Sequence, residues 1–329
     1  MYTLGIETSC DETAAAVIKN SATVLSSCVS SSVHIHNKFG GIVPEIASRF
    51  HLEYITAVTR QALAKANITL PDIGLIAVTS RPGLVGSLLV GVSFAKTLAF
   101  SLHKPLIGVN HINAHLFAPF LKKQRFLFPF IGLVVSGGHT SLALVRDFNK
   151  IKIIGKTRDD AAGEAFDKTA KILGLGYPGG PVIDKLAKTV SASPFQFSCA
   201  QLNDSLDFSF SGIKTNVLYT YQKIKQKNRL TKAHIAHAFE HEVVNTIVSK
   251  SIRACKKQRL RLLSAGGGVA CNSLLRTQLT QACKREKITL LLAEPHFCLD
   301  NAAMIAALGY RLFKKGIRSK YSLTASANT

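Results

Sequence analysis

A chain of 329 residues, 47% of them hydrophobic, buries a substantial core without staples and most naturally forms two domains or one two-lobed unit. Its seven cysteines are odd in number and scattered, with no Cys-x-x-Cys, which argues against a disulfide framework or a structural zinc site and fits a reducing cytoplasm. Charge is the outlying property: 41 Lys and Arg against 19 Asp and Glu give +22, placed as eight against six in residues 1–120 and 33 against 13 in 121–329. That asymmetry points to a polyanionic partner, nucleic acid ahead of membrane, with a merely solvated basic surface as the alternative.

The start, Met1 to Glu7, lacks the basic region and long apolar core of a signal peptide, so a cytoplasmic location is expected. Residues 2–7 and 13–18 are apolar runs around Thr8-Ser9-Cys10-Asp11-Glu12, predicting strand, polar turn and returning strand. Periodicity predicts a helix over 51–66, a strand over 73–79 and, after Arg81-Pro82-Gly83, a buried helix to Leu102. Ser87, Ser93 and Lys96 interrupt that last stretch, so it is not a membrane span. A strand over 106–109 leads directly into Asn110-His111-Ile112-Asn113-Ala114-His115.

The hairpin pattern recurs at Phe130 to Val135, Ser136 to Thr140 and Ser141 to Val145, predicting an internal duplication with lobes at 1–128 and 129–329 and a cleft between them. A helix is expected from Asp159 to about Leu173, ended by Gly174 and Gly176, and Pro181 opens another that carries Asp184 in its first turn. Residues 222–232 read as a basic loop or exposed helix end, and 234–254 as an amphipathic helix whose His234, His237 and His241 are surface residues. Leu262 to Asn272 reads as strand, glycine turn and helix start, although three glycines alone are weak support for a phosphate site. The tail from Ser322 is expected to fray.

Two histidines four residues apart on one helix face can point both imidazoles at one ion. Such a pair needs a carboxylate from elsewhere, and Asp300, ahead of the apolar run from Ala302, is the best candidate; its plainer role is a helix cap at or near that position. A zinc protease would need Glu after the first histidine, where Ile112 stands.

Over nearly its full length the chain resembles the tRNA threonylcarbamoyladenosine transferases, the TsaD family, once called glycoproteases. The resemblance rests on Gly5 to Thr13, His36 to Arg49, the His111/His115 pair, Val135 to Thr140, Gly163 to Lys168, Gly176 to Pro181, Gly266 to Asn272 and Asp300 to Met304. It implies an α/β, two-lobed actin-like or sugar-kinase-like ATPase fold built from duplicated ribonuclease H-like domains. It also implies one divalent metal, Fe(II) or alternatively Zn(II), on His111, His115 and Asp300, with Val135, Ser136, Gly137, Gly138, His139, Asp167, Gly180, Asp184 and Asn272 around a nucleotide-like substrate.

The implied reaction moves the threonylcarbamoyl group of threonylcarbamoyl-AMP to the exocyclic amine of the adenosine 3′ of the anticodon, in tRNAs reading codons that begin with A. TsaB-like and TsaE-like proteins are the implied partners. Asp11 and Glu12 are the candidates for proton handling. Leu299 stands where the family often has threonine, which removes one hydroxyl beside the ligand aspartate. A sugar or carboxylate kinase of the same fold is the rival, weakened because hydrated Mg²⁺ prefers carboxylates and phosphates to imidazoles.

Overall fold

The computed structural model describes residues 1–123, 126–202 and 204–328. In chain order the first part holds β1 (Tyr2–Glu7), β2 (Glu12–Lys19), β3 (Thr23–Ser31), α1 (Val33–His36), α2 (Pro44–Lys65), β4 (Ile73–Arg81), α3 (Val85–Ser101), β5 (Leu106–Asn110) and α4 (His111–Phe117). The sheet order is β3-β2-β1-β4-β5; β1, β2 and β3 pair antiparallel, whereas β4 and β5 run parallel to β1. The apolar runs of β1, β2 and β4 are buried almost end to end, as expected of strands covered on both faces.

Next come β6 (Phe130–Val135), β7 (Thr140–Asp147), β8 (Lys150–Lys156), α5 (Ala162–Leu173), α6 (Gly179–Ala187), α7 (Ser211–Lys223), α8 (Arg229–Gln258), β9 (Leu262–Gly266), α9 (Ser273–Arg285), β10 (Thr289–Leu292) and α10 (Pro295–Cys298). Their sheet order is β10-β9-β6-β7-β8, with β6, β7 and β8 antiparallel and β9 and β10 parallel to β6. This repeats the pairing scheme of the first sheet strand for strand. The duplication expected from the two hairpins therefore extends to β3, β8 and β10, none of which the sequence predicted: β3 and β8 mix polar with apolar residues, and β10 is a run of only four residues.

The chain ends with α11 (Ala302–Lys314), and here the expected boundary differs from the structure. The compact units are Met1–Leu127 with Leu299–Thr329, and Phe128–Cys298, so Asp300 belongs with the first unit and not with the residues before it. The cause is small-residue packing: Ala302 to Gly309 are all buried. A Cβ on Gly5 would come within 2.9 Å of the Ala306 Cβ, and one on Gly309 within 2.5 Å of the Ala77 Cβ. The tail is also tied down, since Ser319 N donates to Leu106 O at 2.9 Å and Ser326 N to Ser80 O at 2.9 Å, which corrects the expectation of fraying.

Several helix starts also differ, α6 opening at Gly179 and not Pro181. α2 opens at Pro44, seven residues before the predicted position, with proline in its first turn and Glu45 near the positive end. α5 opens at Ala162 and not Asp159, because the Asp159 carboxylate instead accepts from Phe210 N at 2.8 Å and Ser211 N at 3.2 Å at the start of α7. Within 222–232, α7 ends at Lys223 and α8 begins at Arg229, capped by Asn228.

Gly5→Ala is expected to overpack the contact between β1 and α11 and to cost about 1–3 kcal/mol of folding stability. Thermal unfolding checks this, and an unchanged midpoint would refute the close packing of the two elements.

Candidate functional site

In the first unit, ionisable side chains gather at the carboxyl ends of β1 and β5, where ligands collect in parallel sheets. Asn110 ends β5 and caps α4 by accepting from Asn113 N at 3.0 Å, so His111 is the first helical residue and His115 lies one turn on. The two imidazoles meet edge to face with Nε2 atoms 3.2 Å apart. Asp300 Oδ1 lies 3.1 Å from His115 Nε2 and 3.4 Å from His111 Nε2. The helix cap is Asn301, whose Oδ1 accepts from Met304 N at 3.0 Å, so Asp300 is released from the capping role that its sequence position allowed.

Behind His111 stands Glu7, a residue that the sequence passed over. It is fully buried and accepts from Ser9 N at 2.6 Å, Thr79 Oγ1 at 2.7 Å and His111 Nδ1 at 2.9 Å. An acidic residue closing an apolar strand was the available signal, since a carboxylate is not buried without partners. By accepting the hydrogen bond of Nδ1–H, Glu7 turns the Nε2 of His111 toward Asp300 and His115. His115 Nδ1 is buried with no hydrogen-bond partner among the described residues, so the pair is braced through His111, whose Nδ1 meets Glu7 and, at 3.1 Å, Ser9 Oγ.

Burial works against charge on each of these groups, yet the pairing prevails for three of them. It lowers the Glu7 carboxyl through His111, lifts the His111 imidazole well above its ordinary range through Asp300 and Glu7, and holds Asp300 far below the usual carboxylate range through both histidines. His115 goes the other way: burial wins and keeps it neutral. The buried Glu7 and partly exposed Asp300 carboxylates, facing two imidazoles, thus carry negative charge that one cation balances.

The donor set fits a divalent ion. Ligands about 2.1 Å from one ion and roughly 90–110° apart stand about 3.0–3.4 Å from one another, the spacing that Nε2, Nε2 and Oδ1 show here. Imidazole suits Fe(II) and Zn(II) better than Mg²⁺. Among the described residues this is the one group of three or more such ligands. His234, His237 and His241 form no second one; His234 Nδ1 instead pairs with Ala192 O at 2.8 Å.

The proton-handling candidates sit on the β1–β2 turn, which His51 of α2 locks by bonding Thr13 Oγ1 at 2.7 Å and Cys10 O at 3.0 Å. Glu12 Oε1 accepts from Ser31 Oγ at 2.9 Å, and burial followed by neighbouring Asp11 pushes its carboxyl up to about 8. Near neutral pH Glu12 therefore carries a proton to donate. The Asp11 carbonyl anchors Ser32 through N at 3.1 Å and Oγ at 2.8 Å.

The remaining predicted residues all lie in Phe128–Cys298. Val135 ends β6, and the Ser136–His139 turn closes through Ser136 N to His139 O at 2.8 Å. Gly267 follows β9 at φ +95°, where a Cβ would strike the Val135 carbonyl, so the two glycine-containing turns lie against each other. Asp167 Oδ1 accepts from Gly179 N at 2.7 Å at the start of α6. Asp184 accepts from Ser273 Oγ at 2.6 Å and Lys188 Nζ at 2.9 Å. Asn272 caps α9 through Leu275 N at 2.9 Å and donates Nδ2 to Glu240 Oε1 at 2.6 Å, a buried partner that the sequence did not single out. Space is open beside Gly137, Gly138 and Gly180, where backbone can meet a ligand.

A family model described as tRNA N6-adenosine threonylcarbamoyltransferase matches residues 23–307. Proteins of that description from Clostridium kluyveri and Thermosipho africanus are similar at 48% identity over 328 residues and 50% over 329, covering 99% and 100% of this chain and 96% and 99% of theirs. Solved structures resemble it in fold alone. T. kodakarensis HypF gives TM-score 0.67 at 13% identity over 96% of this chain and 48% of its own. A ROK hexokinase from Thermus thermophilus gives 0.52 at 17% identity over 96% and 100%.

Glu7→Gln is expected to weaken divalent-metal affinity about 10–100-fold while leaving the fold intact, read by metal titration. An unchanged affinity would remove Glu7 from the site. Glu12 gives a pH test. Its folded carboxyl, near 8 against an ordinary 4.5, contributes stability that is present below 4.5 and lost as pH rises through about 8. Glu12→Gln should therefore flatten the fall in stability over that window, measured by denaturant unfolding at several pH values.

Proposed function

The chain belongs to the tRNA N6-adenosine threonylcarbamoyltransferase family, and from that membership we propose which of its residues carry the reaction. It is an acyltransferase that places a threonylcarbamoyl group on N6 of an adenosine in tRNA. The hexokinase likeness, at 17% identity, concerns fold and gives no support to a kinase.

The proposed donor is threonylcarbamoyl-AMP and the proposed target the adenosine 3′ of the anticodon. His111, His115 and Asp300 are the proposed metal ligands, with Fe(II) as first choice and Zn(II) as second. The observation that carries this assignment is the approach of two imidazole Nε2 atoms and one carboxylate oxygen to within 3.4 Å, with Glu7 fixing one imidazole. When bound, such an ion supplies Lewis acidity toward a carbonyl or phosphate oxygen and a fixed point for orienting the substrate.

The protein groups have separate work. Glu7 keeps the proton of His111 on Nδ1. Glu12, protonated near neutrality, is the proposed donor to a departing or developing oxyanion. In the second unit, amides of Ser136 to His139 and of Gly180 are proposed to meet phosphate, as clustered N–H groups do in nests. Asp184, held by Ser273 and Lys188, is proposed to accept from ribose hydroxyls. Asp167 acts one step back by fixing Gly179 N, and Asn272 sets the start of α9. The 33 basic residues of 121–329 suit a tRNA backbone. Partners of TsaB and TsaE type are part of the proposal. No described helix is long and apolar enough to cross a membrane.

The test supplies the protein, with such partners, with unmodified tRNA and threonylcarbamoyl-AMP and reads modified nucleoside by mass spectrometry. His111→Ala and Asp300→Asn are each expected to lower metal content and to cut transfer at least about 100-fold. Full metal occupancy in His111→Ala would overturn the ligand assignment. Transfer should also weaken as salt rises, through the KM for tRNA.

A further inference from the structure

Seven free cysteines are dispersed through the chain, but two of them meet. Cys271 ends the turn Gly268–Cys271, next to Asn272, and Cys298 is the last residue of α10. The two thiols are neighbours. Each also points at a carbonyl of one short segment, Cys271 Sγ at Pro295 O (3.4 Å) and Cys298 Sγ at Ala293 O (3.5 Å). Arg276 joins the cluster, with Nη1 at 3.1 Å from Ala293 O and 3.9 Å from Cys298 Sγ.

We propose that Cys271 and Cys298 form a peroxide-reactive dithiol, with Cys271 as the attacking thiol and Cys298 as the resolving one. Cys271 is partly exposed and Cys298 buried, so an oxidant from solvent reaches Cys271 first. The neighbouring Cys298 side chain and then the charge of Arg276 push the Cys271 thiol down to about 7 and so favour its thiolate. Cys10 is the other partly exposed cysteine, and its thiol is pushed well up by burial and by neighbouring carboxylates, so it is not a competing nucleophile.

The chemistry balances with hydrogen peroxide as the oxidant. The Cys271 thiolate attacks one peroxide oxygen, the O–O bond breaks, and hydroxide leaves to take a proton as water, giving a sulfenic acid. The Cys298 sulfur then attacks the Cys271 sulfur and the S–O bond breaks. The departing hydroxide takes the Cys298 proton as a second water. Two thiols are oxidised to one disulfide and one peroxide is reduced to two waters. The bridge joins the residue before the α9 cap to the residue two before Asp300.

The full-length protein is treated with a few equivalents of hydrogen peroxide and its thiols are counted and mapped. Of the seven thiols, five should remain, with a linked Cys271–Cys298 peptide, an intact mass lower by two hydrogens, and full reversal by dithiothreitol. Cys298→Ser should stop at a Cys271 sulfenic acid that dimedone traps. Peroxide that leaves all seven thiols, or that carries Cys271 to sulfinic acid while Cys298 stays free, would overturn the proposal, and the wild-type map decides this alone.

Discussion

The hydrogen bond from His111 Nδ1 to Glu7 Oε2 is the interaction on which the rest of the first unit's chemistry depends. A carboxylate at the end of a fully covered strand is costly unless both its oxygens are hydrogen-bonded, and Ser9, Thr79 and His111 supply those bonds. Those partners come from the turn after β1, from β4 and from α4, so one buried charge fixes the ends of three elements at once. The orientation of His111 follows from that, and the meeting of His111, His115 and Asp300 follows from the orientation.

Small residues make the same meeting possible from the other side. α11 approaches β1 and β4 closely because Gly5 and Gly309 put no side chain in its way, and the aspartate before α11 is thereby carried to the histidines. Asn301 completes the arrangement by taking over the helix cap, which leaves both Asp300 oxygens outside the helix hydrogen-bond ladder. Packing, capping and the placement of Asp300 are here three consequences of one short segment.

The second unit repeats the sheet but uses its turns differently. Where the first unit gathers imidazoles and carboxylates, the second presents a glycine turn after β6 and another after β9, with Asp167, Asp184 and Asn272 engaged by protein partners. Those contacts correct a simple picture in which each predicted residue waits for a ligand. Asp167 and Asn272 build the starts of α6 and α9, whereas a side chain at Gly137, Gly138 or Gly180 would meet open space.

Local patterns in the sequence determined the strand hairpins of β1–β2 and β6–β7, the duplication, the helices that carry apolar stripes and the facing of His111 and His115, because each depends on spacing within a few residues. Polar strands such as β3 and β8 gave no such pattern, being defined by the neighbours they pair with. The side of the boundary on which Asp300 falls, the role of Glu7 behind His111, the cap at Asn301 and the Glu240–Asn272 pair were decided only by the tertiary structure. Each is a contact between residues far apart in the chain, and burial sets its strength. A sequence shows which groups exist, but not which of them the packed core has shut away from water together.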